Sequence, residues 1–294
     1  MLPMQRVTRL PLLVSALQGR LSSTEQEYHT ARECIEVLNC LVEECNEGAR
    51  SVYRMEELIC ISKLLDFREL RAIALISSSR YLVKQGEVSR IQWKESTESV
   101  RLTFGKRNSR QNLVFYLFSD LLVISKKKSD DKYAVIDYCN RNLVQISSLN
   151  REESPVPGLP ENSFPVWITL LQNHEHRTQE MLLYFQRETD RRNWISLLSP
   201  SLPQDTGEVV YAEWDSPRVE FSQACNPNSA CAYSVGDTAR VLKKTEDKYL
   251  VEIEADKRQF WIQQNLTREL VSDHLRAKNF KQRYQFLKSI SQEA

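Results

Sequence analysis

Glycine is scarce in this chain, with 7 in 294 residues. They are scattered, so no glycine-rich loop is available to cradle a phosphate. Neither G-x-G-x-x-G nor G-x-x-x-x-G-K-[ST] occurs, which argues against nucleotide binding by the chain itself. Charge of one sign is lacking as well: 40 Lys and Arg face 39 Asp and Glu, a net of +1. No whole-chain field therefore draws it to nucleic acid or membrane, and any such attraction must be local. No apolar run nears the roughly 20 residues of a membrane span, and the N-terminus lacks the pattern of a secretory signal. The seven cysteines are odd in number and contain no C-x-x-C pair. They read as reduced thiols of a cytoplasmic protein. Cys225 and Cys231 flank an Asn-Pro-Asn loop without a histidine to complete a zinc site. Of four histidines, His174 and His176 fall in a polar turn and read as solvated loop rather than metal ligands. No serine, cysteine or carboxylate pair carries a recognisable catalytic motif, so no bond-making active site, metal or cofactor is expected.

What is present begins with helices. At about 100° per residue, Val7, Leu10, Val14, Leu17 and Leu21 share one side and predict a buried seam. Leu2, Gln5, Arg9, Leu12 and Ala16 share the other side. That mixture suits a protein partner, and equally a helix central to a bundle. Pro11 predicts a bend but not a break. Ser22 and Glu25 are spaced as a capping box. A long helix follows, with a seam of Tyr28, Ala31, Ile35, Leu38, Val42, Cys45, Ala49 and Val52. Beside it runs a polar row of Asn39, Glu43, Asn46 and Arg50. Gly48 weakens this helix slightly.

From about Tyr81 the pattern turns to short strands. Candidates are Tyr81–Ile91, Val100–Phe104, Leu113–Ser119, Leu121–Ser125, Tyr133–Tyr138, Leu143–Ile146, Val166–Leu171 and Met181–Gln186. Many short strands in series imply a sandwich or small barrel. A helix with Thr189 as N-cap and Trp194, Leu197 and Leu198 on one face closes the set. A second set comprises Val209–Ala212, a Gly236-Asp237 turn, Ala239–Leu242, Tyr249–Ile253 and Phe260–Ile262. Between positions 80 and 132 twelve basic residues face six acidic ones.

Pro3, Gln5, Arg6, Arg9, Leu12 and Leu13 resemble the last signature segment of a Dbl-homology domain, the exchange module of Rho guanine nucleotide exchange factors. The strands ending in a Trp-bearing helix resemble a pleckstrin-homology domain. The second set resembles an SH3 barrel, and with the Leu-Arg-x-x-x-Phe-Lys tail from Leu275 the arrangement looks like the ephexin group. The resemblance implies a multidomain α+β chain: end of a Dbl-homology helical bundle (1–64), pleckstrin-homology sandwich with C-terminal helix (65–200), linker (201–206), divergent SH3-like barrel (207–270) and basic amphipathic tail (271–294).

In function it implies an exchange factor's C-terminal portion that promotes GDP release from a Rho-family GTPase. Contacts would come from Gln5, Arg9, Leu12, Asn46 and Arg50. Weak activity is expected from residues 1–294 alone, because the family's first signature segment is not among them. The alternative is a non-catalytic adaptor that binds lipid or protein through its last two domains. Weak binding to anionic membrane phospholipid, at the plasma membrane periphery, would use Lys84, Lys106, Arg107, Lys126, Lys127 and Lys128. The same basic residues also read as a solvated edge that discourages strand pairing. Tyr249, Trp261 and Asn265 would line a degenerate SH3-like groove with poor affinity for proline-rich ligands. That barrel would take a protein or intramolecular ligand, and no nucleic acid is expected as a partner.

Overall fold

The structure, a computed structural model, describes residues 3–67, 70–92, 109–129, 131–149, 159–201, 207–224 and 233–271. The chain divides into two compact units, Met1–Ser62 with Leu75–Tyr81, and Lys63–Ala74 with Leu82–Ala294.

In the first unit α1 (Pro3–Gln18) runs unbroken through Pro11. Proline there removes one backbone donor and crowds the Val7 carbonyl, but the helix continues on both sides of it. At the next start Glu25 accepts the Ser22 N–H at 3.1 Å, while the Ser22 hydroxyl turns to Thr24. Half of the expected capping box is thus made. Helix α2 (Gln26–Leu64) has 39 residues, about 58 Å at 1.5 Å per residue. Its expected seam is half-buried from Tyr28 through Cys45 but lapses at Ala49 and Val52, which are exposed. Burial then moves to Arg54, Leu58 and Ile61. A straight helix drifts about 20° per heptad, so one seam cannot stay covered along this length. The Arg54 guanidinium lies 4.5 Å over the Tyr81 ring, which returns alongside.

The second unit carries two sheets. The first has eight strands: β1 (Leu65–Asp66), β2 (Leu82–Gln92), β3 (Ser109–Phe118), β4 (Leu121–Ser129), β5 (Lys132–Asn140), β6 (Val144–Ser148), β7 (Phe164–Leu170) and β8 (Gln179–Phe185). Their order is β1-β5-β4-β3-β2-β8-β7-β6, and α3 (Glu188–Leu198) follows the last of them. Seven antiparallel strands closed by one C-terminal helix make the pleckstrin-like sandwich that the sequence implied, with the short parallel β1 added. Leu113–Phe118 and Leu121–Ile124 are buried at every position. Covered on both faces, these strands read as continuous apolar runs. Trp194 of α3 is 2% exposed and closes the core against Phe115, ring centroids 5.8 Å apart. Arg187, not Thr189, occupies the N-cap position of α3, without a side-chain cap. Glu188 and Asp190 in its first turn supply the favourable charge instead. The expected strand Val100–Phe104 lies outside the described residues.

The second sheet has six strands: β9 (Val209–Val210), β10 (Arg218–Phe221), β11 (Thr238–Lys244), β12 (Lys248–Ile253), β13 (Gln259–Gln263) and β14 (Thr267–Glu269). The order is β13-β12-β11-β10-β14, with β9 beside β11. The expected opening strand at Val209–Ala212 is therefore only a two-residue side strand. β10 and β14 occupy the path instead, and both are too short to show a period in the sequence. Gly236 sits at φ +89°, a left-handed conformation that glycine adopts without strain. Beside it the Asp237 carboxylate takes the Ser234 N–H at 2.8 Å. Val219, Phe221, Ala239, Val241, Val251 and Phe260 form this sheet's core.

Candidate functional site

On α1, Gln5, Arg9 and Leu12 follow at steps of four and three residues and share one face. All three are exposed, Leu12 at 69%. The opposite seam is not the buried one expected: Val7, Val14 and Leu21 are half-buried, but Leu10 and Leu17 are exposed. With one neighbouring helix in its unit, α1 lacks the surroundings that would cover both sides. On α2, Asn46 and Arg50 stand one turn apart, both exposed. Glu47 between them takes Arg50 at 3.4 Å and Arg54 at 3.1 Å. Pairs this exposed contribute little to stability. They hold the Arg50 head loosely.

The basic residues of the sandwich do not converge. Lys84 pairs in register with Leu117, and Leu117 with Leu122. Lys126 lies four residues further along β4, about 13 Å at strand rise. Lys84 instead places its ammonium 5.3 Å from the Trp194 ring. Lys126, Lys127 and Lys128 are all exposed at the other end of the strand, where Lys128 meets Asp66 at 3.5 Å. Lys106 and Arg107 lie outside the described residues.

The expected groove of the second sheet is not assembled. Tyr249 pairs with Ile262, and both are buried in the core, Tyr249 at 7% exposure. Trp261 pairs with Leu250 on the opposite face and is 47% exposed. Strand side chains alternate, so adjacent pairs point to opposite sides of a sheet. Tyr249 and Trp261 cannot line one groove, although Asn265 is exposed as expected. Burial raises the Tyr249 hydroxyl's pKa above its ordinary value, and the Glu269 charge adds to it.

His174 corrects its sequence reading. It is no solvated loop residue, for its Nδ1 lies 2.7 Å from the Asp137 carboxylate, with both side chains largely buried. Asn173 donates to the other Asp137 oxygen at 3.1 Å. His176 is exposed, at φ 59°. Among the described residues no group of three or more His, Cys, Asp or Glu could hold a metal. Burial pushes the Cys139 thiol up to about 12, so this cysteine is an inert core residue. Cys225 and Cys231 lie outside the described residues.

Arg141 had no signal in the sequence. It is 6% exposed and donates to the Leu197 carbonyl at 2.7 Å and to the Ser119 carbonyl at 3.4 Å. Its guanidinium carbon lies 4.7 Å from the centre of the Trp214 ring.

No family model matches the chain. It is similar to human Rho guanine nucleotide exchange factor 16, 37% identical over 227 residues, covering 76% of this chain and 31% of that protein. Mouse ephexin-1 is 28% identical over 284 residues, covering 96% of this chain and 38% of that protein. The chain thus spans about a third of the length of these relatives. Among solved structures, the DH/PH domains of p115-RhoGEF align with a TM-score of 0.45 at 16% identity, covering 66% of this chain and 52% of that one.

Proposed function

Because this chain belongs to the ephexin-like group of Dbl-family Rho guanine nucleotide exchange factors, we propose that α1 and α2 carry part of the surface that grips a Rho-family small GTPase. The observation that carries this reading is the exposure of Gln5, Arg9, Leu12, Asn46 and Arg50, each set at helical spacing on one face. The sequence-inferred chemistry of these side chains is complementary. Arg9 and Arg50 offer cations to acidic or carbonyl groups, Gln5 and Asn46 offer amides to switch backbone, and Leu12 supplies apolar area. A binder that prefers the nucleotide-free GTPase lowers its affinity for GDP by the ratio of the two affinities. No bond is made or broken in this chain.

Within the described residues only two helices belong to that surface, so slow GDP release by residues 1–294 is the expected outcome. The test measures binding of nucleotide-free Rho-family GTPases, together with release of fluorescent GDP. Binding that weakens on Arg9→Ala and Leu12→Ala supports the reading. Binding indifferent to both substitutions overturns it.

A second reading, as an adaptor on anionic lipid, is favoured by the three exposed lysines Lys126–Lys128 at one strand end. It is tested by sedimentation with phosphatidylserine vesicles. Loss of vesicle binding on their joint replacement by glutamine supports it, and no vesicle binding by the unmodified chain ends it. The second sheet, read as a divergent SH3-like barrel, would then be a carried module rather than a proline-peptide reader.

A further inference from the structure

We propose that the segment between β9 and β10 is docked in cis on the sandwich through Arg141, so that the two sheets move as one body. Arg141 is tied to the sandwich in three places. Its N–H donates to the Asp120 carbonyl at 2.8 Å, and its guanidinium donates to Leu197 and Ser119. The guanidinium donors lie in its own plane, and its carbon sits 4.7 Å from the centre of the Trp214 ring. A planar cation shielded from water on a tryptophan is among the stronger contacts of this kind. The chain leaving α3 adds two more bonds: Ser201 donates its N–H to the Asp215 carboxylate, and its hydroxyl accepts from Ala212 N–H at 3.3 Å.

The same segment is fastened on its other side to the second sheet. Tyr211 N–H donates to the Leu242 carbonyl at 2.9 Å, and Val241 N–H donates to the Pro217 carbonyl at 2.9 Å. The Ser216 hydroxyl donates to the Val241 carbonyl, and the Tyr211 ring packs on that sheet's core. The stretch 211–217 is therefore bonded to the second sheet through Tyr211, Ser216 and Pro217, with Glu213 paired to Arg240, and to the sandwich side through Ala212, Trp214 and Asp215. The occupant of the Arg141 surface is thus the chain's own Trp214, and the second sheet is oriented by this bracket. The inference is independent of the exchange reading, since it involves neither α1 nor α2.

The test is 15N relaxation of chain 1–294 and of two variants. The wild type and Trp214→Phe, which keeps a ring face for the guanidinium, give one rotational correlation time for the amides of both sheets. Trp214→Ala gives two, the second sheet tumbling faster than the sandwich. Trp214 is only half-buried, and unchanged amide dispersion within each sheet confirms that the variant is folded. Two correlation times in the wild type, or one in folded Trp214→Ala, overturn the proposal.

Discussion

A β-carbon placed on Gly86 would lie 3.2 Å from Cζ2 of Trp194, so β2 and α3 meet there with no side chain between them. The tryptophan is held on its other sides by the edge of Phe115 and the ammonium of Lys84. Because this ring fills the core, it has little room to retreat. Gly86→Ala is expected to destabilise the sandwich by about 1–3 kcal/mol through overpacking. A urea titration checks this, with Ser89→Ala on the same strand as the control. A neutral result would mean that the ring gives way freely.

Gly48 is the opposite case. It lies inside α2, and an added β-carbon meets nothing within 4 Å. Alanine restricts the unfolded chain and favours the helix, so Gly48→Ala should stabilise α2 by about 0.5–1 kcal/mol. Thermal unfolding followed at 222 nm reads this directly.

Leu12→Ala should weaken GTPase binding by about tenfold, a loss of roughly 1.4 kcal/mol. The side chain is largely exposed, so the melting temperature should not move. Loss of binding together with a lowered melt would instead assign Leu12 to the fold.

Stability should fall in alkali in a way that Cys139 reports. Desolvation by burial raises its thiol from an ordinary 9.0 to about 12, and the nearby Asp137 charge adds to it. The folded state therefore holds this proton more tightly than the unfolded chain does. The resulting stabilisation is complete below pH 9 and is lost as pH rises from there through about 12. Cys139→Ala should lose less stability than the wild type between pH 8.5 and about 11 in guanidinium titrations. Parallel losses in the two proteins would exclude this origin.

Proline-rich peptides should bind the second sheet weakly, with Kd above about 1 mM. Tyr249 is in the core, so Tyr249→Phe should change stability rather than peptide affinity. Tight binding abolished by this substitution, read by calorimetry, would place the ring in an open groove.

Much of this protein is local and could be read without a structure. The spacing of Tyr28, Ile35 and Val42 announced α2, and the run Tyr249–Ile253 announced β12. The matched residues from Pro3 to Leu13 announced the family. What fails is long-range placement. The motif puts Tyr249 in a groove, yet pairing with Ile262 turns it inward.

The sequence by itself determined the helices, most of the longer strands and the family, because periodicity and short motifs act over a few residues; β10 and β14 were too short for it. Only the tertiary structure decided which face of β12 is inside, that His174 reaches Asp137, and that Arg141 meets Trp214. Each of those depends on register between strands and turns far apart in the chain. Register is fixed by the joint packing of all the strands, and no local stretch of residues encodes it.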